Sequence, residues 1–321
     1  MDYIIFDLEW NQCPDERDTK DPHLPFEIVE IGAVKLNKDR KVTSEFHRMI
    51  KPEVYHWINS RTREIIRLDY QSLRQKGVPF PQAARDFFTW CGDDARFCTW
   101  GDQDLLELQR NLKYYDLESL LPGPLKYYNV QKLFSIYYED GRSRRSLEYA
   151  VDLLGLAKTE GFHRALADAH YTAALFARIG EECIHKNFSI DAYQNPKNKR
   201  EEIHIFYEDR VKFISREFAS KEDAIADREV CSTACPRCHR PTRRKIRWFS
   251  VNARRYFSVS MCPEHGYVKG KVRMKKTDDG MFFVEKTTSL IDEEDAERIL
   301  EKKELLCAKR RLHRRSMSER Y

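Results

Sequence analysis

One stretch near the start constrains this chain more than any other: Tyr3-Ile4-Ile5-Phe6-Asp7-Leu8-Glu9-Trp10. The apolar run predicts a buried strand, and it ends in two acids. Side chains alternate along a strand, so Asp7 and Glu9 leave it on the same face. Two carboxylates on a face that is otherwise buried are costly unless something offsets their charge. Divalent cations such as magnesium or manganese take hard oxygen ligands of this kind. The pattern therefore asks for further ligands elsewhere in the chain.

The next segments supply candidates. After a polar, proline-containing loop (11–25), residues 27–36 and 42–50 read as strands joined by a turn at 37–40, an antiparallel meander. Residues 56–75 and 81–91 read as helices, the second from the spacing of Ala83, Ala84, Phe87, Phe88 and Cys91. A short strand over 96–100 ends at Gly101-Asp102-Gln103-Asp104, and a helix follows to about Leu112. Asp104 leads the Leu105, Leu108, Leu112 stripe. A helix N-cap is its ordinary role, and Asp102 competes with it as a ligand. Residues 143–154 form a helix capped by Ser143 or Ser146 and stopped by Gly155. Gly161-Phe162-His163 opens a long helix to about Ile184. Asp168 falls on its apolar face with Ala165, Thr172, Leu175, Phe176 and Ile179, so it needs a neighbouring arginine or a cation. His163 stands at the helix start, within reach of a reacting group. Strands first, then strands alternating with helices, predict a mixed sheet with helices on its faces.

At 321 residues the chain has room for two domains, and 41% hydrophobic with 34% charged residues is a globular composition. No apolar run approaches a membrane span, and the amino terminus lacks a basic segment followed by an apolar core. The expectation is a soluble, cytoplasmic protein without a membrane partner. In a reducing compartment nine cysteines suit metal binding better than disulfides. The net charge of +5 is unevenly spread: residues 1–185 carry 25 Lys+Arg against 30 Asp+Glu, residues 186–321 carry 32 against 22. An acidic half joined to a basic half suits a metal-using catalytic unit beside a polyanion-binding one.

Taken in order, Phe6-Asp7-Leu8-Glu9, then Trp100-Gly101-Asp102-Gln103-Asp104, then His163 with Asp168 five residues on, resemble the three-motif signature of the DEDDh 3′–5′ exonucleases. These form the DnaQ-like branch of the ribonuclease H-like fold. The Trp-Gly-Asp-x-Asp form of the second motif and the Ser146–Leu156 helix before the histidine are most similar to the histone-mRNA exonuclease and KapD-like subgroup. The resemblance covers roughly residues 1–185. It implies an α/β domain over 1–186, with a five-stranded mixed sheet flanked by helices. It also implies Asp7, Glu9, Asp104 and Asp168 as ligands of two Mg2+ or Mn2+ ions and His163 as general base. The implied reaction releases nucleoside 5′-monophosphates from single-stranded 3′ ends, RNA more than DNA. Trp10 and Phe162 flank the motifs and are candidates to stack on terminal bases; a core role is their ordinary alternative. Arg142, Arg144 and Arg145 are candidate backbone contacts. A nucleic-acid-binding regulator with a vestigial nuclease core, or a docking protein, is the alternative reading.

The second half carries its own signal. Residues 187–230 read as a linker of uncertain helical and strand content. Cys235-Pro236-Arg237-Cys238 and Cys262-Pro263-Glu264-His265 are two x2-spaced pairs around a β-rich insert, matching one structural zinc ion in a ribbon-like domain over 231–290. Cys231 and His239 are competing ligands. A domain that short would have little core without the metal. Residues 231–276 hold 13 Lys+Arg and one acid, Glu264. Arg243, Arg244, Lys245, Arg247, Arg254 and Arg255, interleaved with Trp248 and Tyr256 and followed by Lys269 to Lys276, predict a nucleic-acid-binding face. Residues 269–287 read as a hairpin, and 291–321 as a C-terminal helix with a basic tail.

Overall fold

The computed structural model describes residues 1–13, 21–66, 70–158 and 161–318. The chain divides into two compact units, Met1–Tyr193 and Gln194–Tyr321.

The first unit opens with β1 (Asp2–Gln12), β2 (Phe26–Leu36) and β3 (Val42–Met49), the antiparallel meander expected from the sequence. Residues 14–20 of the intervening loop lie outside the described residues. The helix expected over 56–75 is found as α1 (Ser60–Ile66) and α2 (Tyr70–Lys76), residues 67–69 lying outside the description. Next come α3 (Phe80–Cys91), β4 (Ala95–Thr99), α4 (Gln103–Tyr114), β5 (Leu125–Asn129), α5 (Val130–Tyr138) and α6 (Leu147–Leu153). Ser146, not Ser143, caps α6, its hydroxyl accepting from the Tyr149 N–H. The unit closes with α7 (Ala165–Arg178), α8 (Glu181–Lys186) and β6 (Ser189–Asp191).

Among the described residues the sheet has six strands in the order β3-β2-β1-β4-β5-β6, with β1, β4 and β5 parallel. The sixth strand, absent from the five expected, comes from the stretch read as linker. Ser-Ile-Asp is too short and polar to show an alternation. It is held by pairing with β5 and by the Gln109 amide, which donates to Asp191 Oδ1 at 2.8 Å. The long final helix is likewise divided. Ile179 is extended, and a Cβ on Gly180 would sit 3.0 Å from the Tyr137 ring. The Arg40 guanidinium donates to the carbonyls of Phe176 and Ile179, ending α7 there.

Alternation along β1 decides what each face of the sheet meets. Ile4, Phe6 and Leu8 enter one cluster with Phe87 of α3 and Leu105 and Leu108 of α4. Tyr3 and Ile5 enter another with Ala169, Ala173 and Phe176 of α7. Asp7 and Glu9 continue the second series, toward the start of α7.

In the second unit, β7 (Ile203–Phe206), β8 (Arg210–Ile214), α9 (Lys221–Ala226) and α10 (Arg228–Cys231) structure most of the expected linker. Then follow β9 (Arg243–Asn252), β10 (Arg255–Cys262), β11 (Gly266–Lys276), β12 (Phe282–Leu290) and α11 (Glu293–Ser318). The strands form an antiparallel sheet in the order β7-β8-β12-β11-β10-β9. One face packs Val272, Met274 and Val284 on Phe213, Ala224 and Val230. The other packs Ile246 and Val259 on Ala296 and Ile299 of α11. Among the described residues no helix is long and apolar enough to cross a membrane.

Candidate active site

The parallel pairing of β1 with β4 ends at Ile5↔Cys98. Beyond it the backbone of β1 has lost that neighbour, and its N–H groups need other partners. Asp104, in the first turn of α4, supplies one: its Oδ1 accepts from the Leu8 N–H at 3.1 Å. Asp104 is buried and Asp102 is exposed, so of the two acids it is Asp104 that faces the end of β1. On the antiparallel side the register slips between Glu9 and Trp10, a bulge of the kind that re-aims side chains beside sites.

Asp168 arrives from α7. Asp7 lies opposite Gly32 of β2, and a Cβ on Gly32 would stand 2.1 Å from the Leu166 nitrogen. The start of α7 thus lies directly on the strand backbone, where only glycine fits. Asp168 sits one turn into the helix and accepts the His163 N–H on Oδ2 at 3.0 Å. One ligand oxygen from each of Asp7, Glu9 and Asp168 lies within 4.8 Å of the others. Asp104 stands outside that trio, joined to it through the Leu8 backbone. His163 has φ 66 and an exposed side chain.

The electrostatics follow from the crowding. Burial, then Asp104, Asp168, Glu9 and Glu30, push Asp7 well above the carboxylate range. Burial, then Asp168, Glu30 and Asp104, raise Glu9 to about 8. Burial raises Asp104 to about 7 against the Leu8 N–H, and raises Asp168 to about 6 against the His163 N–H. Asp168 Oδ1 is buried and, among the described residues, has no hydrogen-bond partner. Four hard oxygen donors that repel one another, one with an orphaned atom, fit divalent cations.

Glu30 escaped the sequence reading. It lies opposite Glu9 on β2, buried, and binds both His47 Nε2 at 2.7 Å and the Arg164 guanidinium at 3.1 Å. Burial alone would raise it, but those hydrogen bonds outweigh burial and hold it below its usual value. An acid inside Ile28-Val29-Glu30-Ile31 was the available signal. The other candidates are placed elsewhere. Trp10 rests on the α3/α4-side cluster, 5.9 Å from Phe26, and Phe162 lies 4.9 Å from Tyr171, with the Lys158 ammonium 5.5 Å above it. Arg145 bonds Glu139 at 3.1 Å and covers Tyr149, while Arg142 and Arg144 lie on an exposed turn.

In the second unit, Cys235, Cys238, Cys262 and His265 converge. The separations are 3.6 Å for Cys235 Sγ to His265 Nδ1, 3.7 Å for Cys238 Sγ to Cys262 Sγ, and 3.7 Å for Cys262 Sγ to His265 Nδ1. A tetrahedral ion with Zn–S bonds of about 2.3 Å would set its ligands about 3.7 Å apart, so the four residues fit zinc. Burial opposes ionisation of Cys262, but the N–H groups of Glu264 and His265 and the His265 ring bring it down to about 6. The competing ligands lie elsewhere: Cys231 Sγ donates to the Ile225 carbonyl, and His239 packs 4.9 Å from Phe206. Of the expected nucleic-acid contacts, Arg243, Arg244, Lys245, Arg247, Arg254 and Arg255 are exposed. Trp248 and Tyr256 are not: both pack against the cluster under α9 and α10, and the Trp248 indole donates to the Cys231 carbonyl at 2.9 Å.

A family model described as exonuclease, RNase_T, matches residues 4–176. The chain belongs to this exonuclease family. It is therefore a nuclease, and its first unit is the exonuclease unit. Among solved structures, the nuclease domain of 3′hExo, described as a DEDDh family member bound to rAMP, is 20% identical. It covers 59% of this chain and 96% of its own, with a TM-score of 0.50. A structure of a 3′-exonuclease in 3′-end recognition of a histone mRNA stem-loop is 19% identical over 61% of this chain and 92% of that one, TM-score 0.48. An exonuclease I structure is 12% identical over 85% and 55%, TM-score 0.49. The first of these establishes the shared ribonuclease H-like fold. Among curated proteins no relative matches by sequence.

Proposed function

We propose that the exonuclease unit removes nucleotides from the 3′ end of single-stranded nucleic acid, RNA in preference to DNA, as nucleoside 5′-monophosphates. The observation that carries this reading is the convergence of Asp7, Glu9 and Asp168, with Asp104 on the Leu8 N–H. These four carboxylates would hold two Mg2+ or Mn2+ ions. Such ions supply Lewis acidity at the scissile phosphate and lower the cost of ionising water. His163 takes the proton of the attacking water, a general-base role that an imidazole nitrogen can fill. The water oxygen bonds to phosphorus, the P–O3′ bond breaks, and the 3′ hydroxyl stays with the shortened strand. The Arg164–Glu30 pair anchors the residue next to His163 and so orients the base. Preference for RNA rests on the similarity of the motifs to the histone-mRNA subgroup. In the second unit, Cys235, Cys238, Cys262 and His265 would hold one structural zinc. A cytoplasmic location accompanies this reading.

The test uses an oligonucleotide labelled at either end, incubated with the full chain and Mg2+ or Mn2+. The expected result is mononucleotide release from the 3′ end only, abolished in Asp7→Ala. Release from the 5′ end, or equal activity in Asp7→Ala, would overturn the proposal. Matched RNA and DNA strands measure the preference.

A further inference from the structure

The register of the second sheet aligns side chains of its α11 face in rows. Lys269 lies beside Ser289 and Arg210; Lys271 beside Thr287 and Lys212; Arg255 beside Arg273 and Glu285. Glu285 takes Lys212 at 3.5 Å and Lys275 at 3.7 Å. Arg255, Lys269, Lys271 and Arg273 have no carboxylate within 4 Å among the described residues, and Arg255, Lys271 and Arg273 are exposed. Arg255 and Arg273 are direct cross-strand partners, an arrangement of like charges that costs stability. Although Lys271 is exposed as a residue, partial burial of its ammonium, and then Arg273, Arg255 and Lys269, hold it below its usual range.

The rings of this face are already committed. Phe257 lies under the ammonium groups of Lys269 and Lys302, at 5.2 and 5.5 Å. Phe283 is buried, and the Tyr267 hydroxyl donates to Glu293 of α11. Between the cations stand the hydroxyls of Thr287 and Ser289. This is chemistry for phosphate oxygens, without the free rings on which single strands stack. The array extends about 13 Å along β11 from Lys269 to Arg273 and about 14 Å across from Arg255 on β10 to Arg210 and Lys212 on β8, at the usual residue and strand spacings; Asp209 holds Arg210 and Glu285 holds Lys212 at that far edge. An array of two dimensions suits the paired phosphate rows of a duplex better than one line of phosphates.

We propose that this face, centred on Arg255, Lys269, Lys271 and Arg273, binds the phosphate backbone of double-stranded nucleic acid. The role as substrate platform rests on the nuclease reading; the binding itself does not. Trp248 and Tyr256, expected as single-strand contacts, pack on the opposite face with Val272 and Met274.

The test measures anisotropy of labelled 20-base-pair RNA and DNA duplexes and an unstructured 20-nucleotide strand, using full-length Asp7→Asn protein without added magnesium or manganese. Four phosphate contacts give a slope of log affinity against log salt of about −3.6 on duplex. Lys271→Gln with Arg273→Gln should flatten that slope by about two and weaken duplex binding at least tenfold, whatever its sequence. Lys271→Arg with Arg273→Lys should retain both. An unchanged slope in the glutamine variant, tighter binding of the single strand, or displacement by poly-glutamate as effective per charge as by duplex would each overturn the proposal. The parent slope needs no variant, so a folding defect cannot hide the answer. Separate assay of 3′ release from a short single strand tells failure of the nuclease reading from failure of the platform.

Discussion

Each of the four acids is raised by burial, Asp7, Glu9 and Asp104 also by their fellows and Asp168 by Glu30, and the sign of the consequence is fixed. An acid whose folded value lies above its unfolded one binds more protons when folded. Its contribution to stability is therefore lost as pH rises. For Glu9 the window runs from its ordinary 4.5 to about 8, with Asp168 and Asp104 titrating inside it. Thermal melts of metal-free protein should show the exonuclease unit's Tm falling across that window, and added Mg2+ should flatten the fall. A metal-free Tm that climbs with pH would contradict the crowding. Asp7→Asn should raise the metal-free Tm near pH 8 while lowering hydrolysis roughly a thousandfold, the scale of losing a preorganised charge. Glu30 acts through Arg164, so Glu30→Gln should cost about 10–100-fold in activity, as outer-shell groups do. Its effect should be shared with Arg164→Ala in a double-mutant cycle measured on kcat. Additive losses would show that the pair does not act as one. Asp7 and Glu9 were legible in the sequence because a strand's alternation places them together. Glu30 was not, since a buried acid reveals its importance only once its partners, His47 and Arg164, arrive from β3 and from the loop before α7.

At the scale of elements, the site depends on how α7 crosses β2. Ala165, Ala169 and Ala173 give the helix a narrow face, and Gly32 gives the strand none at all. Gly32→Ala puts a methyl 2.1 Å from the Leu166 nitrogen, where no side-chain rotation relieves it. The helix must shift and carry Asp168 with it. We expect a loss of about 3 kcal/mol in the exonuclease unit, the upper range for overpacking, by denaturant melts. Mn2+ affinity should weaken further than in a core variant of equal cost such as Phe87→Leu. Equal affinity in the two would mean that α7 does not set the ligand geometry. The meander, the α4 stripe and a serine cap on α6, at Ser143 or Ser146, could be read from period and capping chemistry. The end of α7 at Arg178 and the addition of β6 could not, because both are set by distant groups: the Arg40 guanidinium in one case, the Gln109 amide in the other.

For the whole molecule, the paired x2 spacings pointed to the four residues that converge, Cys235, Cys238, Cys262 and His265, but the extent of the unit around them was hidden. A short ribbon over residues 231–290 alone would depend on its metal. The structure instead recruits β7, β8, α9 and α10 into a six-stranded sheet with apolar clusters on both faces. Cys235, Cys238 and Cys262 sit in a small cluster of their own with Val268 and Leu290, apart from the two larger ones. Zinc removal should therefore weaken this unit without abolishing it, unlike a finger whose fold exists only with the ion. Trp248 is the one tryptophan beyond residue 193, while Trp10, Trp57, Trp90 and Trp100 belong to the exonuclease unit. A full-length chain retaining only Trp248 gives a fluorescence melt for the second unit. With a zinc-selective chelator, or in Cys262→Ser, that melt should move to lower temperature yet stay cooperative. Hydrolysis of a dinucleotide with Mg2+ in excess should persist, since the four acids and His163 all lie between residues 7 and 168. A Trp248 signal already unfolded at room temperature after chelation would mean that the ion, and not the sheet, holds the unit together.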